Sequence, residues 1–171
     1  MKAMRDAYIQ SGKGVAFVNE SIERLRRQIK YRQIRRIESM PPGRRLDALV
    51  ARHVMGYLVE ERPDPAGDGT DFWYLPQGSR FRQLEGMDEP ERVPNYSTAV
   101  HPALQVLDRF PLWKLEGIGS GGGISALVSR NPGHGIWIRG CRTLPEAICK
   151  AALIAVVEDS RIVDELMEGE E

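Results

Sequence analysis

The side chains best suited to hold a planar, charged ligand cluster at two places. The first is the aromatic run Phe72-Trp73-Tyr74, followed by Arg80 and Arg82. Aromatic faces stack on nucleobases, and guanidinium forks grip phosphates bidentately. The same aromatics could equally pin their own segment to the domain, because aromatic side chains carry much of the packing energy. The second place is Trp137 with Arg139, two residues apart and so on one face of a strand, with Arg130 ending the neighbouring strand. That face is either a second stacking-plus-cation surface or a sheet face covered by helix with Arg139 paired to an acid. Tyr96, Ser97 and Thr98 precede a helical pattern and can cap it, and a helix N-terminus is also a ready anion site.

The segment Gly117-Ile-Gly-Ser-Gly-Gly-Gly123 contains a formal G-x-G-x-x-G. A dinucleotide fingerprint needs a helix after its glycines, whereas Ile124–Arg130 alternates like a strand. The segment therefore reads as a hairpin tip, or as a backbone-amide nest or lid around Gly121 that could close over a phosphate. His53, His101 and His134 are scattered over separate elements, so no metal site is expected. Cys141 and Cys149 are not spaced as Cys-x-x-Cys and read as free thiols. There is no Ser-His-Asp order, Walker motif or zincin motif. A binding protein without catalytic machinery or cofactor is the expectation.

The elements that must position these groups follow from periodicity and breakers. Val18, Ile22, Leu25 and Ile29 recur at helical spacing and predict a helix over about Asn19–Ser39. Its polar side carries Arg24, Arg26, Arg27, Lys30, Arg32, Arg35 and Arg36, and Pro41-Pro42-Gly43 ends it. A second helix is predicted over about Arg45–Val59. Residues 60–96, interrupted by prolines and glycines, read as a long ordered loop. A third helix is predicted from Ser97 or Thr98 to about Phe110. Strands at Leu112–Ile118, Ile124–Arg130 and Gly135–Gly140 form a β-meander. In the last helix Thr143 and Glu146 make a capping box, and Ala147–Val157 is nearly all apolar, which predicts a central, buried helix. The fold class is α+β: a small antiparallel sheet sandwiched between helices in α/β/α layers, with a basic helical arm at the N-terminus.

The 171 residues suffice for one domain with an appended element. A formal net charge of zero hides a split. Residues 1–45 hold twelve Lys/Arg and four Asp/Glu, a net of +8, and residues 46–171 hold twelve and twenty, a net of −8. The basic arm could meet nucleic acid, or the acidic remainder of another copy. An apolar stripe on the same helix favours homo-oligomer formation over nucleic acid, with docking on the chain's own main domain as the remaining reading. No apolar run approaches the roughly 20 residues of a membrane helix, so no membrane partner is expected.

Four segments together carry a resemblance: Leu46-Asp-Ala-Leu-Val-Ala-Arg-His-Val-Met-Gly56, Tyr74-Leu-Pro-Gln-Gly78, Pro94-Asn-Tyr-Ser-Thr98 and Thr143-Leu-Pro-Glu-Ala-Ile-Cys-Lys-Ala-Ala-Leu153. Their order and spacing resemble the phage ABA sandwich domain family, over about residues 46–158. Members often have an acid after the Tyr-Ser-Thr triplet, where this chain has Ala99. The resemblance implies a phage origin and helices packed on a sheet. By analogy with small phage inhibitors, it implies a non-enzymatic anti-defence protein. Such a protein would sequester a nucleotide-derived immune second messenger in the cytoplasm of the infected host. The alternative is an accessory protein whose basic arm binds nucleic acid or a host protein. The expected organisation is an arm at 1–45, an ABA-sandwich-like domain at 46–160 and an acidic tail at 161–171. The expected ligand site comprises Trp73, Tyr74, Arg80, Arg82, Tyr96, Ser97, Gly121, Arg130, Trp137 and Arg139, facing a small anionic nucleotide.

Overall fold

The computed structural model of the chain describes residues 13–64, 70–75, 90–117, 123–131 and 134–159. Arg80, Arg82 and Gly121 lie outside the described residues, as does the acidic tail.

Helix α1 (Lys13–Ser39) contains one early glycine and no proline, and Pro41-Pro42-Gly43 terminates it. Its two halves differ. Residues 20–28 are all exposed, whereas Gln33, Ile37 and Met40 are buried. Gly43, at φ 146°, turns the chain into α2 (Arg44–Leu49). A π-helical turn over Val50–Val54 follows, in which Met55 N–H donates to the Val50 carbonyl at 3.0 Å. The wider turn leaves Val50, Ala51 and Val54 all buried. Gly56, at φ 76°, then ends the helical stretch in the left-handed conformation that glycine adopts without steric cost. The second helical segment is therefore shorter than the expected span to Val59.

The stretch read as a loop contains a sheet. Strands β1 (Leu58–Pro63), β2 (Thr70–Leu75) and β3 (Glu91–Arg92) pair antiparallel in that order. Val59 lies opposite Tyr74, Glu60 opposite Trp73, and Trp73 opposite Arg92. Helix α3 (Val100–Leu107) begins later than expected, with Ala99 as its N-cap and no side-chain cap. Ser97 is engaged elsewhere, as described below, and so does not cap it.

Strands β4 (Leu112–Gly117), β5 (Ile124–Asn131) and β6 (His134–Cys141) form the expected meander. The register sets Trp113 opposite Val128, Leu115 opposite Ala126, Val128 opposite Ile136 and Ala126 opposite Ile138. That face packs on helix α4 (Leu144–Asp159). Gly123 is needed at the entry to β5, because a Cβ there would lie 2.6 Å from the Cys141 carbonyl oxygen.

Helix α4 is the centre of the molecule. Every residue from Ala147 to Val157 is buried, including Lys150. It contacts β5, β6, α1, α2, the π turn and α3. A stretch that is apolar apart from Lys150 needs such a place, with partners on every side. Thr143 and Glu146 act as a cap: Glu146 N–H donates to Thr143 Oγ1 at 3.4 Å, and Glu146 Oε2 accepts from the Arg142 N–H at 3.1 Å. The α+β class and the three-stranded meander expected from the sequence are both present.

Candidate functional site

Alternation along β5 and β6 divides the groups expected at the Trp137 surface. Leu127 lies between Lys114 and Trp137 in one cross-strand row, on the face away from α4. Trp137 is 37% exposed there, and Lys114 and Arg139 are also exposed. The Arg139 guanidinium sits 5.7 Å from the Trp137 ring centroid, a cation–π contact at the surface. Lys114 Nζ is held by Glu116 Oε1 at 2.6 Å. Arg130 falls in the irregular stretch of the β5–β6 register between Val128 and Asn131. Its guanidinium covers the buried Phe110 ring at 5.8 Å and does not join Trp137.

The aromatic run is strand β2, and its members separate accordingly. Tyr74 faces inward. Its ring stacks on Tyr57 at 4.5 Å and 17°, and its hydroxyl donates to Glu91 Oε2 at 2.9 Å. Burial, with the hydrogen bond to Glu91, pushes the Tyr74 phenol up to about 12. Trp73 lies on the other face between Glu60 and Arg92, half-buried, and its indole Nε1 has no hydrogen-bond partner.

Tyr96 and Ser97 are interior residues. Tyr96 is 1% exposed, and burial raises its phenol above the ordinary range, with Tyr57 and Tyr74 close by. Ser97 is fully buried: its N–H donates to Asp47 Oδ1 at 2.6 Å, and its hydroxyl accepts from the Gly43 N–H at 2.8 Å. These bonds fix the α1–α2 turn against the segment preceding α3. Of the expected ligand set, then, Trp137 and Arg139 meet at the surface. Trp73 lies on a different sheet, and Tyr74, Tyr96 and Ser97 pack inside.

Sequence reasoning missed an ionic centre built on buried carboxylates at the same junction. Arg44 Nε donates to Asp71 Oδ1 at 2.5 Å, and its terminal nitrogens donate to the carbonyls of Val93 and Phe72 and to Asn95 Oδ1. Arg92 is the second cation on Asp71. Burial alone would raise the Asp71 carboxyl, but the hydrogen bonds from Arg44, the Phe72 N–H and Arg92 outweigh it and hold the group below its ordinary value. Asp47, 3.7 Å from Arg44 and fully buried, goes the other way, because its desolvation dominates. Nothing in the one-dimensional spacing links residues 44, 71 and 92.

A basic groove was likewise missing from the expected site. It has a volume of about 660 Å³ and runs along α1, lined by Arg24, Arg27, Tyr31 and Arg32 with Glu20 and Gln28. The signal for it was the recurrence of these positions at helical spacing on one side. A second hollow of about 410 Å³ follows at the α1–α2 turn, lined by Arg36, Ser39, Pro42 and Arg45 among others. Among the described residues there is no group of three or more His, Cys, Asp or Glu able to hold a metal ion. No described helix is long and apolar enough to cross a membrane.

The family profile for the phage ABA sandwich domain matches residues 48–153, which run from α2 to the middle of α4. The chain belongs to the phage ABA sandwich domain family. The matched stretch includes both sheets and excludes α1. Among solved structures, a phage protein from Bacillus cereus ATCC 14579 is similar, at 24% identity and a TM-score of 0.49. The similarity covers 69% of this chain and 94% of that one. No curated protein matches the chain.

Proposed function

We propose that this phage protein is a non-enzymatic binder that captures a nucleotide-derived immune second messenger, of the cyclic oligonucleotide or cyclic ADP-ribose type, in the host cytoplasm. The observation that carries the reading is the outward face of β4–β6, where Trp137 offers a ring for a base and the exposed Arg139 offers charge for phosphate. Stacking contributes about 1–3 kcal/mol per base. A protein that works stoichiometrically needs a nanomolar constant, about −12 kcal/mol, so charge-assisted contacts to phosphate must supply much of the difference. Titration of the protein with cyclic dinucleotides and cyclic ADP-ribose, followed by tryptophan fluorescence, tests this. Trp137→Ala should weaken binding tenfold or more with an unchanged thermal midpoint, and ligand recovered after heating should be intact. Binding by Trp137→Ala at the parent's strength, or turnover of excess ligand, would overturn the proposal.

A second reading has its own support in the arm. The arginine-lined groove of α1 has the form of a track for a polyanion, and nucleic acid or an acidic host protein would fit it. Duplex DNA binding that falls steeply with salt, and is lost on Arg24→Ala with Arg27→Ala, would favour this reading over the nucleotide one.

A further inference from the structure

We propose that the outer edge of strand β4 pairs antiparallel with β4 of a second copy of this chain, which joins two three-stranded meanders into one six-stranded sheet. β4 is an end strand: it is bonded to β5 on one side, and no described strand lies on the other. An unpaired edge presents a row of backbone donors and acceptors that templates another strand. Neither a proline nor a register shift interrupts Leu112–Gly117. Every residue of the strand except Leu115 is exposed, including two large apolar side chains, Leu112 at 51% and Trp113 at 49%.

The strand's own sequence selects the occupant and the register. A two-fold axis normal to the sheet makes an antiparallel pair in which opposed residues share a face, and such a dimer closes. Centring the axis on Leu115 sets Lys114 opposite the partner's Glu116, and Glu116 opposite the partner's Lys114. These two side chains already attract each other along the strand, with Lys114 Nζ 2.6 Å from Glu116 Oε1. The second copy completes a square of alternating charges. Centring on Lys114 or on Glu116 instead sets like charges face to face, which is destabilising. The same register places Trp113 opposite the partner's Gly117. A Cβ at Gly117 would meet nothing within 4 Å, so the indole has open space to fill there. An aromatic side chain set against an edge glycine is a favourable cross-strand pair. Trp113 and Gly117 lie opposite Val128 and Ile124, on the side that carries α4. Pro111, which has no N–H to offer, bounds the paired stretch.

The test is the mass of the full chain in solution, by light scattering or sedimentation at about 10–100 μM, where a micromolar dimer is populated. The parent should weigh twice 19.3 kDa. Lys114→Glu sets a carboxylate against Glu116 at both ends of the pairing and should raise the dissociation constant tenfold or more. Lys114→Glu combined with Glu116→Lys rebuilds the square with its signs exchanged and should return the parent's mass, which a merely misfolded variant would not do. Trp113→Ala should weaken the dimer by a similar factor. A monomeric parent would overturn the proposal. So would an oligomer indifferent to Lys114→Glu, since another surface would then hold the copies together, or a double exchange that fails to restore the mass. The proposal goes beyond the nucleotide reading and stands apart from it, because these variants leave Trp137 and Arg139 unchanged.

Discussion

Replacing Lys150 by Met should cost far more than a surface charge substitution. The ammonium is 5% exposed and donates to Glu146 Oε1 at 2.7 Å and to the Glu38 carbonyl at 2.8 Å. Methionine fills similar space but leaves a buried carboxylate without its cation and a helix-end carbonyl without its donor. Breaking a buried pair from one side costs about 3–5 kcal/mol. At roughly 2–4 °C per kcal/mol for a chain of this size, the thermal midpoint should fall by about 6–20 °C. The double variant Glu146→Leu, Lys150→Met should recover more than half of that loss, because no unpaired charge remains. The pH dependence carries a definite sign. Burial raises the Glu146 carboxyl, but Lys150 and the Arg142 N–H together hold it below its ordinary value. In the parent this group contributes stability above its unfolded pKa, and the contribution is lost as pH falls through the lower folded value. In Lys150→Met burial prevails and the folded value rises, so protonation relieves the variant first. The gap between parent and variant should therefore narrow from pH 7 towards pH 4. Urea melts of the three proteins across that range would measure it. A loss below about 1 kcal/mol at pH 7, or a gap that widens on acidification, would refute the reasoning.

Arg44→Lys should lower the urea midpoint by the equivalent of about 3 kcal/mol despite keeping the charge, because an ammonium cannot reproduce the planar fork that serves Asp71, Phe72, Val93 and Asn95 together; a near-parental melt would count against that network as a stabilising centre. Cys141 and Cys149 are buried, and burial pushes both thiols up, so a thiol-specific chromogenic reagent should label them only as the protein unfolds. Stoichiometric labelling of the native protein within minutes would contradict that placement.

Much of the body was legible because local pattern and final environment agree. Ile124, Ala126 and Val128 alternate in the sequence and face α4 in the structure, and Ala147–Val157 has no polar side except Lys150 and is buried throughout. The β1–β3 sheet was not legible. Leu58–Pro63 has a single buried residue, Val59, so no alternation marks it as a strand. It is extended because it pairs with β2, and pairing is not a local property. The candidate site divides in the same way. Trp137 and Arg139 share a strand, and two-residue periodicity places them together correctly. Tyr74 and Tyr96 resemble ligand groups in the sequence, but Tyr57 draws Tyr74 into a stack at the edge of the core, and Tyr96 is buried close by. Arg44, the most heavily bonded cation at the α2 junction, looked like one more positive charge after a proline turn.

The anchoring of α1 bears on how long the fold persists once formed. The Lys150–Glu38 contact joins residues 112 positions apart, whereas Arg44 reaches partners 27 to 51 positions away. By chain-closure entropy alone, the longer loop costs about 1.3 kcal/mol more than the shortest of these to close. On that basis the junction of α2 with β2 and β3 should assemble ahead of the arm, and the docked half of α1 should join a body already largely built. Contacts made after the rate-limiting step have little influence on how fast a chain folds, and they set how slowly it comes apart. The ammonium of Lys150 acts as a latch on the native lifetime: without it, unfolding should quicken while the refolding rate stays close to the parent's.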